Sequence, residues 1–240
     1  MQQQMDSTHG NKNRKLHGAL LIAMLVVFLV VYNRKLLMDW YDPQPAAVVH
    51  TPNMRRAANP WNRYHADSCI QIVKDGDLVL RSGSDAISAL FKKVNTRDKS
   101  YSHAGIVFIE NGYPMVYNLI GNAEDPEAVL RRDSLSAFIS PHDNTAYAVY
   151  RYKLSRQQVE KLHDLSIRYF KEKRRFDPHF DLATDSSLYC TEFVYKAMIE
   201  VTGDKKYLGT TQTANFSFVS VDNLFLKKGI KLVCKIVYIQ

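Results

Sequence analysis

The chain has 240 residues, 46% hydrophobic and 23% charged, and carries a net charge of +8. This composition supports one sizeable domain plus an appendage and excludes a wholly disordered chain. The basic balance suits an anionic surface such as lipid headgroups or acidic wall polymers. No zinc-finger, P-loop, dinucleotide or interleaved aromatic–basic motif is present, so nucleic acid is not an expected partner.

Residues 1–15 are polar and end in Lys12, Arg14 and Lys15, a short cytoplasmic tail in this reading. Residues 16–32 are nearly all apolar and are followed by Arg34 and Lys35. The run is at the short end for a membrane span, and no small-x-small cleavage site follows it directly. An uncleaved transmembrane anchor is expected rather than a cleaved signal peptide. The slight excess of basic residues before the span places the rest of the chain outside the cytoplasm. Residues 33–66, with Pro43, Pro45, Pro52 and Pro60, read as a linker, and residues 67–240 as the folded domain.

Within that domain, Cys69–Val73 and Asp77–Leu80 read as extended segments around an Asp75-Gly76 turn. Ser84 is the expected cap of a helix through Val94. Tyr101–Ile109 is rich in β-branched residues and predicts a buried strand with His103 near its start. Asn111-Gly112 predicts a hairpin, returning through Pro114–Ile120. Val129–Arg132 and Thr145–Tyr152 are further strand candidates, with a short helix capped by Ser134 between them. Ser155 and Gln158 form a capping box for a helix that ends near Lys171–Arg175. Ser220 is expected to cap a last short helix, and Ile230–Ile239 alternates as a strand. The sum is an α+β domain, a mostly antiparallel sheet with helices packed on it.

The stretch Ser186–Met198 carries the chemistry. Ser186 and Ser187 are candidate caps, the apolar residues after Cys190 recur at helical spacing, and Gly203 is a stop signal. A thiol in the first turn of a helix meets unpaired N–H groups and the positive end of the helix dipole, which favour thiolate. The alternative is a small buried core cysteine. A thiol hydrolase also needs a base and a group that orients it. Pairing across the Asn111-Gly112 turn puts His103 opposite residue 120, with Asn118 diagonal to it on the same face. Asn118 is therefore the candidate orienting group, His103 the candidate base and Cys190 the candidate nucleophile. His179 is the rival base, and Tyr101 and Ser102 are candidates for the second oxyanion donor.

Gly76-Asp77-Leu78-Val79, Tyr101-Ser102-His103-Ala104-Gly105-Ile106 and Tyr189-Cys190-Thr191-Glu192-Phe193-Val194, in that order, resemble the permuted papain-like hydrolases of the YiiX/YebB type within the NlpC superfamily. The segment Phe176–Asp181 is similar to an aromatic–Asp stretch that such proteins carry before the cysteine. The resemblance covers roughly residues 70 to 200 and implies a papain-like core, a Cys190 nucleophile and a His103 base. It departs at Asn118, where an acidic residue is the YiiX-like pattern.

The expected function is a membrane-anchored cysteine hydrolase that cleaves an amide in a peptide or cell-wall peptide through Cys190, His103 and Asn118. The alternatives are a lipid-directed acyl hydrolase or acyltransferase, and a non-catalytic binding domain for wall or lipid ligands. No cofactor motif is legible, and His142, His179, Asp177 and Asp181 match no metal-site spacing. Cys69 and Cys234 are either a disulfide or two buried thiols.

Overall fold

The computed structural model describes residues 54–121, 127–212 and 217–240. The expected tail, the transmembrane anchor over residues 16–32 and the linker up to residue 53 lie outside the described residues. Among the described residues, no helix is long and apolar enough to cross a membrane.

The strands are Asp77–Gly83 (β1), His103–Glu110 (β2), Tyr113–Asn118 (β3), Arg131–Ser134 (β4), Asn144–Arg151 (β5), Arg175–Phe176 (β6), Ser187–Leu188 (β7), Thr211–Gln212 (β8), Ser217–Phe218 (β9) and Lys231–Val237 (β10). Six of them form one antiparallel sheet in the order β10-β5-β1-β2-β3-β4, while β6-β7 and β8-β9 make two small ladders. Asn111 and Gly112 both have positive φ, 51° and 82°, which gives the β2–β3 hairpin its tight turn. Gly105 pairs with Asn118 in that hairpin. The register is the expected one, with Asn118 diagonal to His103. Gly105 is required there, because a Cβ would lie 2.5 Å from Val116 and 2.9 Å from the Tyr117 carbonyl oxygen.

Both faces of the sheet are covered, as the two-residue alternation along its strands demands. On one face Leu78, Leu80, Ala104, Ile106 and Phe108 pack against Arg156–Lys171 (α5) and Cys190–Thr202 (α6), whose Leu162, Leu165, Phe193, Val194 and Met198 point inward. On the other, Val79, Val107, Val116, Tyr147 and Val149 pack against Pro60–Ile70 (α2) and Leu135–Phe138 (α4). The remaining helices are Met54–Ala58 (α1), Ala86–Val94 (α3) and Val221–Phe225 (α7).

The structure revises several expectations. Residues 54–66, expected as linker, are helical, and Cys69 ends a helix rather than starting a strand. Asn59 caps α2 by accepting from the Trp61 N–H at 3.0 Å, and Pro60 occupies the first turn, where its missing N–H costs nothing. Ala66 and Cys69 then lie on one helical stripe against the sheet, and Val73, just past the helix, joins the same cluster. Asn62 ties this helix to the last strand, donating to the Ile239 carbonyl and accepting its N–H. The disulfide Cys69–Cys234, Cα–Cα 6.3 Å, adds a covalent tie between α2 and β10. A register shift between Leu232 and Cys234 interrupts the expected alternation of β10 and leaves Leu232 exposed.

Candidate active site

Cys190 is the first residue of α6, and its neighbours in the chain fix where it sits. The N-cap is Tyr189 rather than Ser186 or Ser187, because residues 187–188 pair with β6. The Tyr189 hydroxyl accepts from the Val219 N–H at 2.8 Å, and the Thr191 hydroxyl donates to the Val219 carbonyl at 2.6 Å. Glu192 accepts from the Tyr189 N–H at 3.2 Å. Three consecutive side chains around Cys190 thus hold the backbone, and the thiol is left facing a cavity of about 500 Å³. Cys190 is the free cysteine of the chain, since the other two are bonded to each other.

His103 starts β2 and lines the same cavity. Its Nε2 lies 3.1 Å from the Ser88 hydroxyl, and that hydroxyl donates to Asp85 at 2.6 Å. Asp85, not the expected Ser84, is the N-cap of α3, and it also accepts the Ser88 N–H at 2.7 Å. A hydroxyl has one proton, and Ser88 gives it to Asp85. Toward His103 it can only accept, so Nε2 carries the ring proton and Nδ1 is the basic nitrogen. Burial works to raise the Asp85 pKa, but the two hydrogen bonds from Ser88 outweigh it and hold the carboxyl below its ordinary range.

The Ser88–Asp85 pair fits because residue 83 has no side chain. A Cβ at Gly83 would lie 2.1 Å from the Ser88 hydroxyl oxygen and 2.6 Å from Asp85. Phe91, one turn further along α3, meets the His103 ring edge-on at a centroid distance of 5.9 Å.

Asn118 is buried, but no hydrogen bond joins it to His103 among the described residues. Its amide donates to Asp133 at 3.0 Å and to the Val116 carbonyl at 3.3 Å, and its Oδ1 has no partner. The hairpin brings Asn118 to the expected diagonal, while the His103 Nε2 is taken by α3. The sequence missed Ser88 and Asp85. The only available signal was an Asp three residues before a Ser at a helix start.

Electrostatics also depart from the expected thiolate. Burial pushes the Cys190 thiol up, opposed by the backbone N–H groups of Ala104, Thr191 and Cys190 itself and by Arg81. Burial, reinforced by the Arg81 guanidinium opposite it in the sheet, pushes His103 down to about 3, with Asp85 opposing. The resting pair is therefore a neutral thiol and a neutral imidazole. The helix N-terminus lowers the thiol pKa, and removal of water outweighs it.

The other candidates fall into place around this pair. His179 lines the cavity but is exposed. Tyr101 packs edge-on against Phe225 in the core. The Ser102 hydroxyl accepts the Gly83 N–H and donates to the Arg81 carbonyl. The Ser102 hydroxyl, although its residue lines the cavity, is engaged by these two backbone groups, and Tyr101 is not among the cavity's lining residues. Asp177 is buried and accepts the N–H groups of His179 and Asp181, both at 2.8 Å, which organises the loop that carries Phe180 to the cavity. Phe180 has φ of 57°, a strained conformation for a bulky residue and one that such a loop must enforce. A second cavity of about 440 Å³ beside β1 is charged, bounded by Arg81, Asp85, Arg131, Asp133 and Asp143.

Comparison with known proteins converges on one group. The family described as "Permuted papain-like amidase enzyme, YaeF/YiiX, C92 family" matches residues 72–223. Among curated proteins, none matches the chain. The fold is similar to that of a solved protein from Escherichia coli O157:H7, described as metalloprotein yiiX, with a TM-score of 0.57 and 21% identity. The similarity covers 68% of this chain and 98% of that one. Among the described residues here, no group of three His, Cys, Asp or Glu side chains could hold a metal ion.

Proposed function

Because the chain belongs to the permuted papain-like amidase family, and so is a cysteine hydrolase, we propose that Cys190 is its nucleophile and His103 its general base. The observation that carries this reading is the hydrogen-bond chain Asp85–Ser88–His103 at the cavity that Cys190 faces. It leaves Nδ1 as the proton acceptor, and Ser88 backed by Asp85 takes the orienting part expected of Asn118. Asn118 then acts as a positioning residue for the β3–β4 side of the site, through Asp133.

The reaction begins from the neutral pair. The Cys190 proton passes to His103 Nδ1 as the sulfur bonds to the acyl carbon, so charge separates only as the bond forms. The N–H groups at the start of α6 face the developing oxyanion. His103 returns the proton to the leaving amine as the C–N bond breaks, leaving an acyl-thioester on Cys190. Water adds to the thioester with His103 taking its proton. The thiol and a carboxylic acid are then released.

Residues 16–32 anchor the chain in this reading, with residues 54–240 outside the cytoplasm. The Cys69–Cys234 disulfide supports that side, since such bonds persist in oxidising compartments. The test is intact-mass spectrometry after mixing the protein with p-nitrophenyl acetate. The expected result is an acetyl group mapped to Cys190, absent from Cys190→Ala and formed far more slowly in His103→Ala, with His179→Ala unaffected. Acetylation elsewhere, or unchanged in His103→Ala, would contradict the assignment.

A further inference from the structure

Trp61 is the tryptophan of the described residues, and it is not in the core. On the first turns of α2, Trp61 is 61% exposed and Tyr64 63%. Their rings meet edge to face at 6.4 Å, and the His65 ring stacks on Trp61 at 6.0 Å. Met54 at the start of α1 and Ile239, bonded to Asn62, are exposed as well. The helical repeat explains the display. Asn62, Ala66 and Cys69 form the buried stripe of α2, Trp61, Tyr64 and His65 fall on one flank of it, and Arg63 and Asp67 on the other.

The ties that hold α2 in place leave this aromatic flank unused. Asn62 bonds Ile239 and the Arg56 carbonyl, the Tyr147 hydroxyl bonds the His65 carbonyl, and Cys69 is bridged to Cys234. The rings stand outward on a fixed support, so a surface that takes them up has little of the protein to order. Amphipathic Trp and Tyr rings prefer the headgroup level of a bilayer. Arg55 and Arg63 are exposed beside them, and residues 54–74 carry Arg55, Arg56, Arg63 and Lys74 against Asp67 alone. Such a surface complements anionic lipid, with the arginine stems covering apolar surface. The chain also arrives here from the expected anchor: residues 33–53 join the apolar run 16–32 to Met54. A tether of that kind holds the patch at high effective concentration near one bilayer.

We infer that the aromatic flank of α2, with Met54, Ile239, Arg55 and Arg63, docks onto the headgroup level of the anionic bilayer that residues 16–32 cross. This rests on the anchor reading and is independent of the chemistry at Cys190.

The test uses the full chain carrying Trp40→Phe, which leaves Trp61 as its single tryptophan. It is reconstituted in vesicles of phosphatidylcholine and phosphatidylglycerol, with and without lipid brominated near the headgroup end of its acyl chains. The expected result is a blue-shifted Trp61 emission that the brominated lipid quenches roughly twofold or more. The quenching falls by roughly half in vesicles of phosphatidylcholine alone, and in the chain that also carries Arg55→Ser and Arg63→Ser. A control chain carries Trp40→Phe, Trp61→Phe and Tyr113→Trp, which moves the fluorophore to an exposed position on the β2–β3 hairpin. It is expected to stay unquenched. An alkaline carbonate wash reads the anchor separately. Trp61 emission that ignores brominated lipid, in protein that survives the wash, overturns the docking surface and leaves the anchor standing. A blue shift without quenching overturns it in favour of a second copy of this chain on the same flank. Equal quenching in the Tyr113→Trp chain overturns it too, because the bilayer then selects no face. Protein lost in the wash overturns the anchor, and the inference falls with it.

Discussion

At the residue scale, the site depends on one hydroxyl that accepts from His103 while donating to Asp85. Ser88→Ala removes that acceptor and frees the imidazole to change tautomer. The expected effect is a fall in kcat of roughly tenfold to hundredfold with little change in KM, restored in part by Ser88→Thr. Gly83→Ala should act the same way, because its methyl group would occupy the space of the Ser88 hydroxyl. Steady-state kinetics on an activated ester measures both. The positions of Cys190 at a helix start and His103 at a strand start were legible in the sequence because their neighbours carry recognisable local patterns. Ser88 and Asp85 were not, since their contact with His103 exists only after α3 folds against β1 and β2.

The buried imidazole also sets a pH dependence. His103 ionises at about 3 in the folded chain against an ordinary 6.5. Between those values the unfolded chain binds a proton that the folded chain does not. Its contribution to stability is complete above 6.5 and is lost by about 1.4 kcal/mol per pH unit as pH falls through the window. Glu192 has the opposite sign. Burial raises it to about 7 from 4.5, with Lys196 opposing, so its contribution is present below 4.5 and lost as pH rises through 7. The two offset each other between pH 4.5 and 6.5. Urea unfolding of His103→Asn should therefore expose the Glu192 trend alone, stability falling as pH rises. A variant that tracks the parent protein at every pH would contradict the buried neutral His103.

At the element scale, α6 is a platform for the cavity wall as well as a carrier of the thiol. Tyr189 and Thr191 grip the N–H and C=O of a single residue, Val219, on the segment that leads into α7. Tyr189→Phe keeps the ring and deletes one of those bonds. The expected cost is about 1–3 kcal/mol, because the buried Val219 N–H is left without its partner. Faster amide exchange at Val219 checks it, with little change expected in the β2–β3 hairpin. The sequence showed this helix and its stop at Gly203, and it showed the hairpin down to its register. It misplaced the caps: Ser187 is drawn into a ladder with β6, and Asp85 outcompetes Ser84 by also holding Ser88. It also read residues 69–73 as extended, because a short apolar run does not by itself distinguish a strand from a helix end.

At the scale of the whole molecule, the described part of the chain is fastened at both ends. The segment before β1 and the C-terminal end of the chain are tied by Asn62 and by the disulfide Cys69–Cys234 across a sequence separation of 165, and the Tyr147 hydroxyl of β5 adds a bond to the His65 carbonyl. Closing a loop of that length restricts the unfolded chain strongly, so the double variant Cys69→Ser, Cys234→Ser should lose about 2–4 kcal/mol. Thermal unfolding of the two forms measures this, and equal melting temperatures would show that the non-covalent ties suffice. The α+β class and the central sheet were legible from periodicity. The length of the domain was not, because the prolines near its start mask a helix for which Pro60 is a favourable first residue.

Hydrolysis by the proposed mechanism needs Cys190 and His103 to act as one unit. With Cys69 and Cys234 bonded to each other, Cys190 is the one thiol open to iodoacetamide, and its alkylation can be followed against pH without further substitution. The neutral resting pair predicts a rate that climbs to an inflection above the ordinary thiol value of about 8.5. It also predicts that at pH 7 the rate falls at least tenfold in His103→Ala, where the sulfur has lost the base that takes its proton. An alkylation profile that is the same with and without His103 would contradict the pairing and the hydrolytic mechanism built on it.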